Sequence, residues 1–114
     1  MYFGVWYENK LAGVISFIYI NKLNKNATIG YWLGEEHQRK EIMINACKLF
    51  ISYGFKKLHL HRIDISHAVT NVRSAKIPNR LGFTKEGHFR KSGYTDGQFV
   101  DQEYYAILAD EWKE

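Results

Sequence analysis

The chain has 114 residues, 46% hydrophobic, 25% charged and 16% aromatic, with a net charge of +4. That balance excludes a disordered chain, a collagen-like repeat and a low-complexity segment, and the length predicts one domain over 1–114 with its own core. A single cysteine, Cys47, excludes an internal disulfide and a cysteine-rich zinc module.

Strand-like sequence starts directly after Met1. Residues 2–7 are aromatic and β-branched, which suits a strand. Glu8–Lys10 reads as a tight turn. Leu11–Ile20 is apolar on both faces, as in a central strand covered on both sides. It is too short to cross a bilayer as a helix, and no basic leader precedes it. The expectation is a soluble cytoplasmic protein with no membrane partner. Residues 21–26 form a polar turn and 27–33 a third strand, so the first three strands predict an antiparallel meander.

A polar loop over 34–40 leads into a helix. Met43, Ala46, Leu49, Phe50 and Tyr53 share one helical face, and Gly54 is read as its stop. Residues 58–66 alternate as a strand. Asn71 suits the N-cap of a second helix over 72–81, with Pro78 near its end and Gly82 closing it. Two strands follow, about 83–91 and 99–108, and Asp96-Gly97 signals the hairpin between them. The predicted order is β-β-β-α-β-α-β-β.

Charge is unevenly spread. Residues 62–91 carry seven basic side chains against two acidic, and residues 92–114 carry one against six. A basic stretch attracts phosphates or RNA. No aromatic-glycine RNA-binding fingerprint occurs, so the stretch is read as a solvated face answered by the acidic tail, and nucleic acid is not an expected partner. His59 and His61 would project the same way from a strand, but no third ligand accompanies them, so no metal is assigned. Cys47 reads as a small buried hydrophobe. Trp6 and Trp32 read as core and sheet packing.

Four words in register resemble the GNAT superfamily of N-acetyltransferases, and within it the ribosomal-protein type that modifies N-terminal amines. They are Ile29–Leu33 (Ile-Gly-Tyr-Trp-Leu), Gln38–Met43, Asn71–Ser74 (Asn-Val-Arg-Ser) and Arg80–Phe83 (Arg-Leu-Gly-Phe). Tyr94, Asp96-Gly97 and Asp101 fit the closing hairpin of that group. The resemblance implies an α+β fold, a mixed and mostly antiparallel sheet with helices packed on it, lacking the family's first strand and first two helices. It implies acetyl-CoA as cosubstrate and a protein N-terminus or small amine as acceptor. Two neighbouring parallel strands, 27–33 and 58–66, would splay apart to pair the pantetheine arm. The loop and helix start at Gln38, Arg39, Lys40, Glu41, Ile42 and Met43 would hold the pyrophosphate, because backbone N–H groups converge at a helix N-terminus. Asn71 would bond the arm, Ser74 would stand near the sulfur as acid or donor, and the backbone N–H of Leu33 would polarise the carbonyl.

Departures from the family pattern carry their own expectations. Arg39 and Glu41 stand where relatives carry glycines, which predicts weakened cosubstrate affinity. Thr28 stands where many relatives have a glutamate, so no general base is assigned, with Glu103 as a candidate substitute. Absent leading helices would bare an aromatic surface, which predicts a homodimer or an exchanged segment covering it. The second reading is a catalytically impaired member of the fold serving as a binding or oligomerisation module.

Overall fold

In the computed structural model, which describes residues 2–33 and 41–113 and all their side chains except at positions 2, 7, 33 and 72–75, eight elements follow one another. They are β1 (Tyr2–Tyr7), β2 (Lys10–Asn21), β3 (Asn26–Leu33), α1 (Ile42–Lys56), β4 (Arg62–Ala68), α2 (Val72–Arg80), β5 (Thr84–Thr95) and β6 (Gln98–Leu108). A short 3-10 turn over Ala109–Glu111 follows them. The strands form one six-stranded sheet in the order β1-β2-β3-β4-β6-β5. Every neighbouring pair is antiparallel except β3–β4. This is the mixed, mostly antiparallel α+β architecture that the sequence predicts.

The tight turns follow from local chemistry. Both residues of the β1–β2 turn, Glu8 and Asn9, have positive φ (50° and 65°), as do Asp96 and Gly97 between β5 and β6 (51° and 77°). Two left-handed residues make the turn whose twist matches that of paired strands. The chain leaves α2 through Gly82 at φ +84°. There Gly82 N–H donates to the Asn79 carbonyl at 3.3 Å and Phe83 N–H to the Pro78 carbonyl at 2.9 Å. Those two bonds satisfy carbonyls that a helix end otherwise leaves orphaned.

The core lies between one sheet face and the helices. Met43, Cys47, Phe50 and Ile51 of α1 pack with Ile15, Phe17, Ile29, Ile63 and Ile65 of the strands. Phe50 stacks on Phe17 with centroids 4.3 Å apart, and Phe3 meets Phe50 edge-on at 5.3 Å. Each large apolar side chain so buried contributes about 1.5–3 kcal/mol. Cys47 is wholly buried, and burial pushes its thiol up to about 12. It is therefore the small core hydrophobe expected of it.

Three sequence expectations are corrected. Gly54 is not the stop of α1, which runs on to Lys56. Gly54 is buried, and a Cβ there would lie 2.8 Å from Phe17 Cζ, so close packing explains the glycine. The reversal comes five residues later, where His59 has φ 56° and Leu60 N–H returns to the Gly54 carbonyl at 3.1 Å. β4 accordingly begins at Arg62 and not at Leu58, and both His59 and His61 are exposed ahead of it rather than projecting together from a strand. Trp6 and Trp32 are not core: they are 66% and 63% exposed. Trp32 alternates with buried Ile29 and half-buried Tyr31, so it lies on the sheet face that the helices leave open.

Candidate functional site

β3 and β4 share three register pairs, Asn26–Arg62, Ala27–Ile63 and Thr28–Asp64. β3 nevertheless continues to Leu33 and β4 to Ala68. The two parallel strands therefore part after Thr28 and leave a wedge between them. The ladder between β3 and β4 ends at Thr28, so the β3 edge beyond that rung can offer peptide groups to something else. The apex is tied shut: Thr28 Oγ1 donates to Asp64 Oδ1 at 2.6 Å. Arg62 stands 3.9 Å from Asp64 and pairs with Glu86 at 2.8 Å. That pairing raises the Arg62 guanidinium and lowers the Glu86 carboxyl from their ordinary values.

Each wedge strand is followed along the chain by a helix. α1 starts at Ile42, directly after Glu41, and α2 at Val72, directly after Asn71. Helix N-termini present free N–H groups and a favourable dipole to anions. Glu41 adopts φ 54°, ψ 16°, the left-handed conformation that a glycine takes without cost. The backbone thus keeps the shape of a glycine position while carrying a carboxylate. Its Oε1 pairs with Arg80 Nη1 of α2 at 2.9 Å, and that hydrogen bond and charge hold the Glu41 carboxyl below the usual carboxylate range.

The expected site residues are placed as follows. Leu33 ends β3 opposite Gly13, at the open end of the wedge. Ile42 and Met43 are buried by their side chains, so only their backbone is left for a ligand at the helix start. Asn71 precedes α2 and donates its N–H to the Ala68 carbonyl at 2.9 Å. Ser74 lies in the first turn of α2, and its side chain is outside the described residues, as are Gln38, Arg39 and Lys40 altogether. Glu103 lies on β6 opposite His67 of β4 and is ion-paired with Lys85 of β5. Sequence reasoning missed Arg80 and His67. Arg80 meets Glu41 across 39 positions of chain, a contact no local pattern announces. His67 falls on the buried face of β4, where alternation from Ile63 and Ile65 could have placed it.

The basic middle and the acidic tail do meet, as predicted, across β5 and β6. Lys85 pairs with Glu103, and His88 Nε2 lies 2.8 Å from Asp101 Oδ2 and its Nδ1 3.6 Å from Glu103. Asp101 Oδ1 also accepts the Lys91 N–H at 2.8 Å, which pins the irregular stretch of β5 between Phe89 and Gly93. A shallow depression lined by Phe89, Arg90, Lys91, Ser92 and Asp101 lies over that irregularity, on the outer strand and away from the wedge. Among the described residues no three metal-ligating side chains stand close enough to hold an ion, and no helix is long and apolar enough to cross a membrane.

Comparison with known proteins extends these observations. Residues 1–84 match the family model described as the acetyltransferase (GNAT) domain. The Bacillus subtilis protein YdaF, whose name places it with the ribosomal N-acetyltransferases, is 39% identical over 96% of this chain and 60% of its own length. The Escherichia coli ribosomal-protein-serine acetyltransferase is 36% identical over 95% of this chain and 60% of its own. Among solved structures, RimL, a ribosomal L7/L12 alpha-N-protein acetyltransferase in complex with coenzyme A, superimposes with a TM-score of 0.86 at 34% identity. That match covers 91% of this chain and 59% of RimL. The chain thus spans 60% of the length of the curated relatives it matches.

Proposed function

The chain belongs to the GNAT acetyltransferase family, and we propose that it is an acetyl-CoA-dependent N-acetyltransferase acting on a protein N-terminal amine of the ribosomal-protein type, or on a small amine, in the cytoplasm. Residues 1–114 would form the acetyltransferase-like unit. The parting of β3 and β4 after Thr28 carries this reading. An extended, amide-bearing arm fits such a wedge because it can pair with the open edge at 29–33 as a further strand would.

When bound, acetyl-CoA supplies an activated acetyl thioester. The chain's own residues do the rest. The open edge of β3 pairs the arm, and Asn71 adds a bond at the start of α2. The Leu33 N–H, at the end of that edge, polarises the acetyl carbonyl as a backbone donor. Ser74, one turn into α2, donates a hydrogen bond near the sulfur. The backbone N–H groups of Ile42 and Met43, with Gln38, Arg39 and Lys40, hold the pyrophosphate.

Glu41 is the poor fit. Its carboxylate stands beside the helix start that should take phosphate, and Arg80, which could offset phosphate charge there, is already engaged by it. This favours the second reading, an impaired relative kept as a binding or oligomerisation module. Calorimetric titration with CoA separates the two. Saturable binding that tightens in Glu41→Gly, with acetyl transfer to a peptide bearing a free alanine or serine N-terminus, is the expected result. No heat at millimolar CoA in either protein would overturn the enzyme reading.

The open sheet face supports a further part of the proposal. Trp6, Leu11 and Trp32 are 66%, 53% and 63% exposed there. Apolar surface of that kind marks an interface, and we assign it to a second copy of the chain or an exchanged segment. A monomeric elution profile without binding of a hydrophobic dye would contradict this.

A further inference from the structure

We propose that His67 is a catalytic residue, its Nε2 taking the proton released by the attacking amine and returning it to the leaving sulfur; the inference rests on the acetyl-transfer reading above. His67 is 6% exposed, and its Nε2 is buried with no hydrogen-bond partner among the described residues. Buried polar atoms without partners are rare in folded proteins and ask for an explanation. The ring's other nitrogen, Nδ1, lies 2.8 Å from the Ala68 carbonyl oxygen. A carbonyl can only accept, so Nδ1 carries the hydrogen and Nε2 is left as the acceptor nitrogen. The same carbonyl accepts the Asn71 N–H at 2.9 Å. One oxygen therefore fixes both the ring and the start of α2. Tyr105 holds the ring from its face, with centroids 5.5 Å apart and an interplanar angle of 21°.

The position suits the chemistry. His67 lies three residues past the last rung between β3 and β4, on the part of β4 that has left β3. Four residues later comes Asn71, assigned above to the arm. Among the described residues, three carboxylates of the strands and helix start around the wedge are committed. Asp64 is bonded to Thr28, Glu41 to Arg80, and Glu103 to Lys85. Glu103 stands opposite His67 in register, and its carboxyl is held below the usual range by Lys85 first, with His88 and His67 adding to it. A positive ring formed at His67 would thus face an ionised carboxylate, with Lys85, His88 and Asp101 behind it on β5 and β6.

The step balances without another reactant. A neutral amine nitrogen bonds the acetyl carbon as the carbon–sulfur bond breaks. The proton lost from nitrogen passes to Nε2 and then to the thiolate sulfur, giving amide and free thiol with the imidazole restored.

Two measurements test this. In His67→Phe, which keeps an aromatic ring against Tyr105, CoA binding by calorimetry should stay within a few-fold of the unaltered protein. Acetyl transfer to an alanine-initiated peptide should fall by about 10²-fold or more and lose the acidic limb of its pH profile. Transfer within a few-fold, with the same profile, overturns the inference. The second measurement needs no variant. In protein labelled with ¹⁵N-histidine, CoA should shift the His67 Nε2 resonance. CoA that binds by calorimetry without moving it overturns the inference alone, whereas absence of any CoA binding overturns the acetyl-transfer reading and this inference with it.

Discussion

Gly54 shows how one missing side chain decides a contact. A Cβ there would meet Phe17 Cζ at 2.8 Å and Ile63 Cδ1 and Leu60 Cδ1 at 3.2 Å each, all three belonging to buried residues. Those neighbours lie on β2, on β4 and in the turn before it, and each is packed in the core, so making room disturbs packing between the sheet and α1. Gly54→Ala should therefore cost about 1–3 kcal/mol in urea unfolding, despite alanine's better helix propensity. In the sequence this glycine looked like a stop, because a glycine at the end of an apolar face serves either purpose. His59, whose left-handed φ makes the actual reversal, carries no such signature.

The His88–Asp101 pair gives a pH dependence with a definite sign. Asp101 is lowered, first by His88 and then by the Lys91 N–H. Its contribution is present above its unfolded value of about 3.9 and is lost as pH falls through the lower folded value. His88 is raised, first by Asp101. Its contribution is complete below its unfolded value of about 6.5 and is lost as pH rises through the higher folded value. The pair thus acts fully only between the two. Destabilisation by His88→Gln should be measurable at about pH 5.5 and vanish by about pH 9; an equal loss at both would contradict the assignment.

At the scale of elements, the end of α2 is the simplest case to test. Gly82 has φ +84° and nothing within 4 Å of a built Cβ, so only backbone conformation demands glycine. Gly82→Ala should cost about 1–2 kcal/mol in thermal or urea unfolding. This element was legible because Asn71, Pro78 and Gly82 are local signals, and the Asp96-Gly97 hairpin was legible for the same reason. β4 was not. Residues 58–66 read as one strand from Leu58, yet Lys25 O takes the N–H groups of His61 and Arg62 and the strand proper begins only at Arg62. The extension of β5 to Thr95 was hidden too, because it depends on Asp101 pinning Lys91 from the neighbouring strand. Periodicity sees neighbours along the chain, and these boundaries are set across it.

For the molecule as a whole, the mixed, mostly antiparallel sheet and the parallel neighbouring of β3 and β4 followed from the family words, while the place of β6 between β4 and β5 and the energetics of the candidate site did not. The Glu41–Arg80 and Glu103–Lys85 pairs join distant segments, and the burial of the His67 nitrogen, which has no partner among the described residues, arises only on folding. The central claim is that the wedge between β3 and β4 takes the cosubstrate arm. Amide hydrogen exchange with and without saturating CoA tests it most directly, because the β3–β4 ladder stops at Thr28 and does not extend along the rest of that edge. Slowed exchange across 29–33 on adding CoA is the predicted result; unchanged exchange there while CoA is bound would contradict the account.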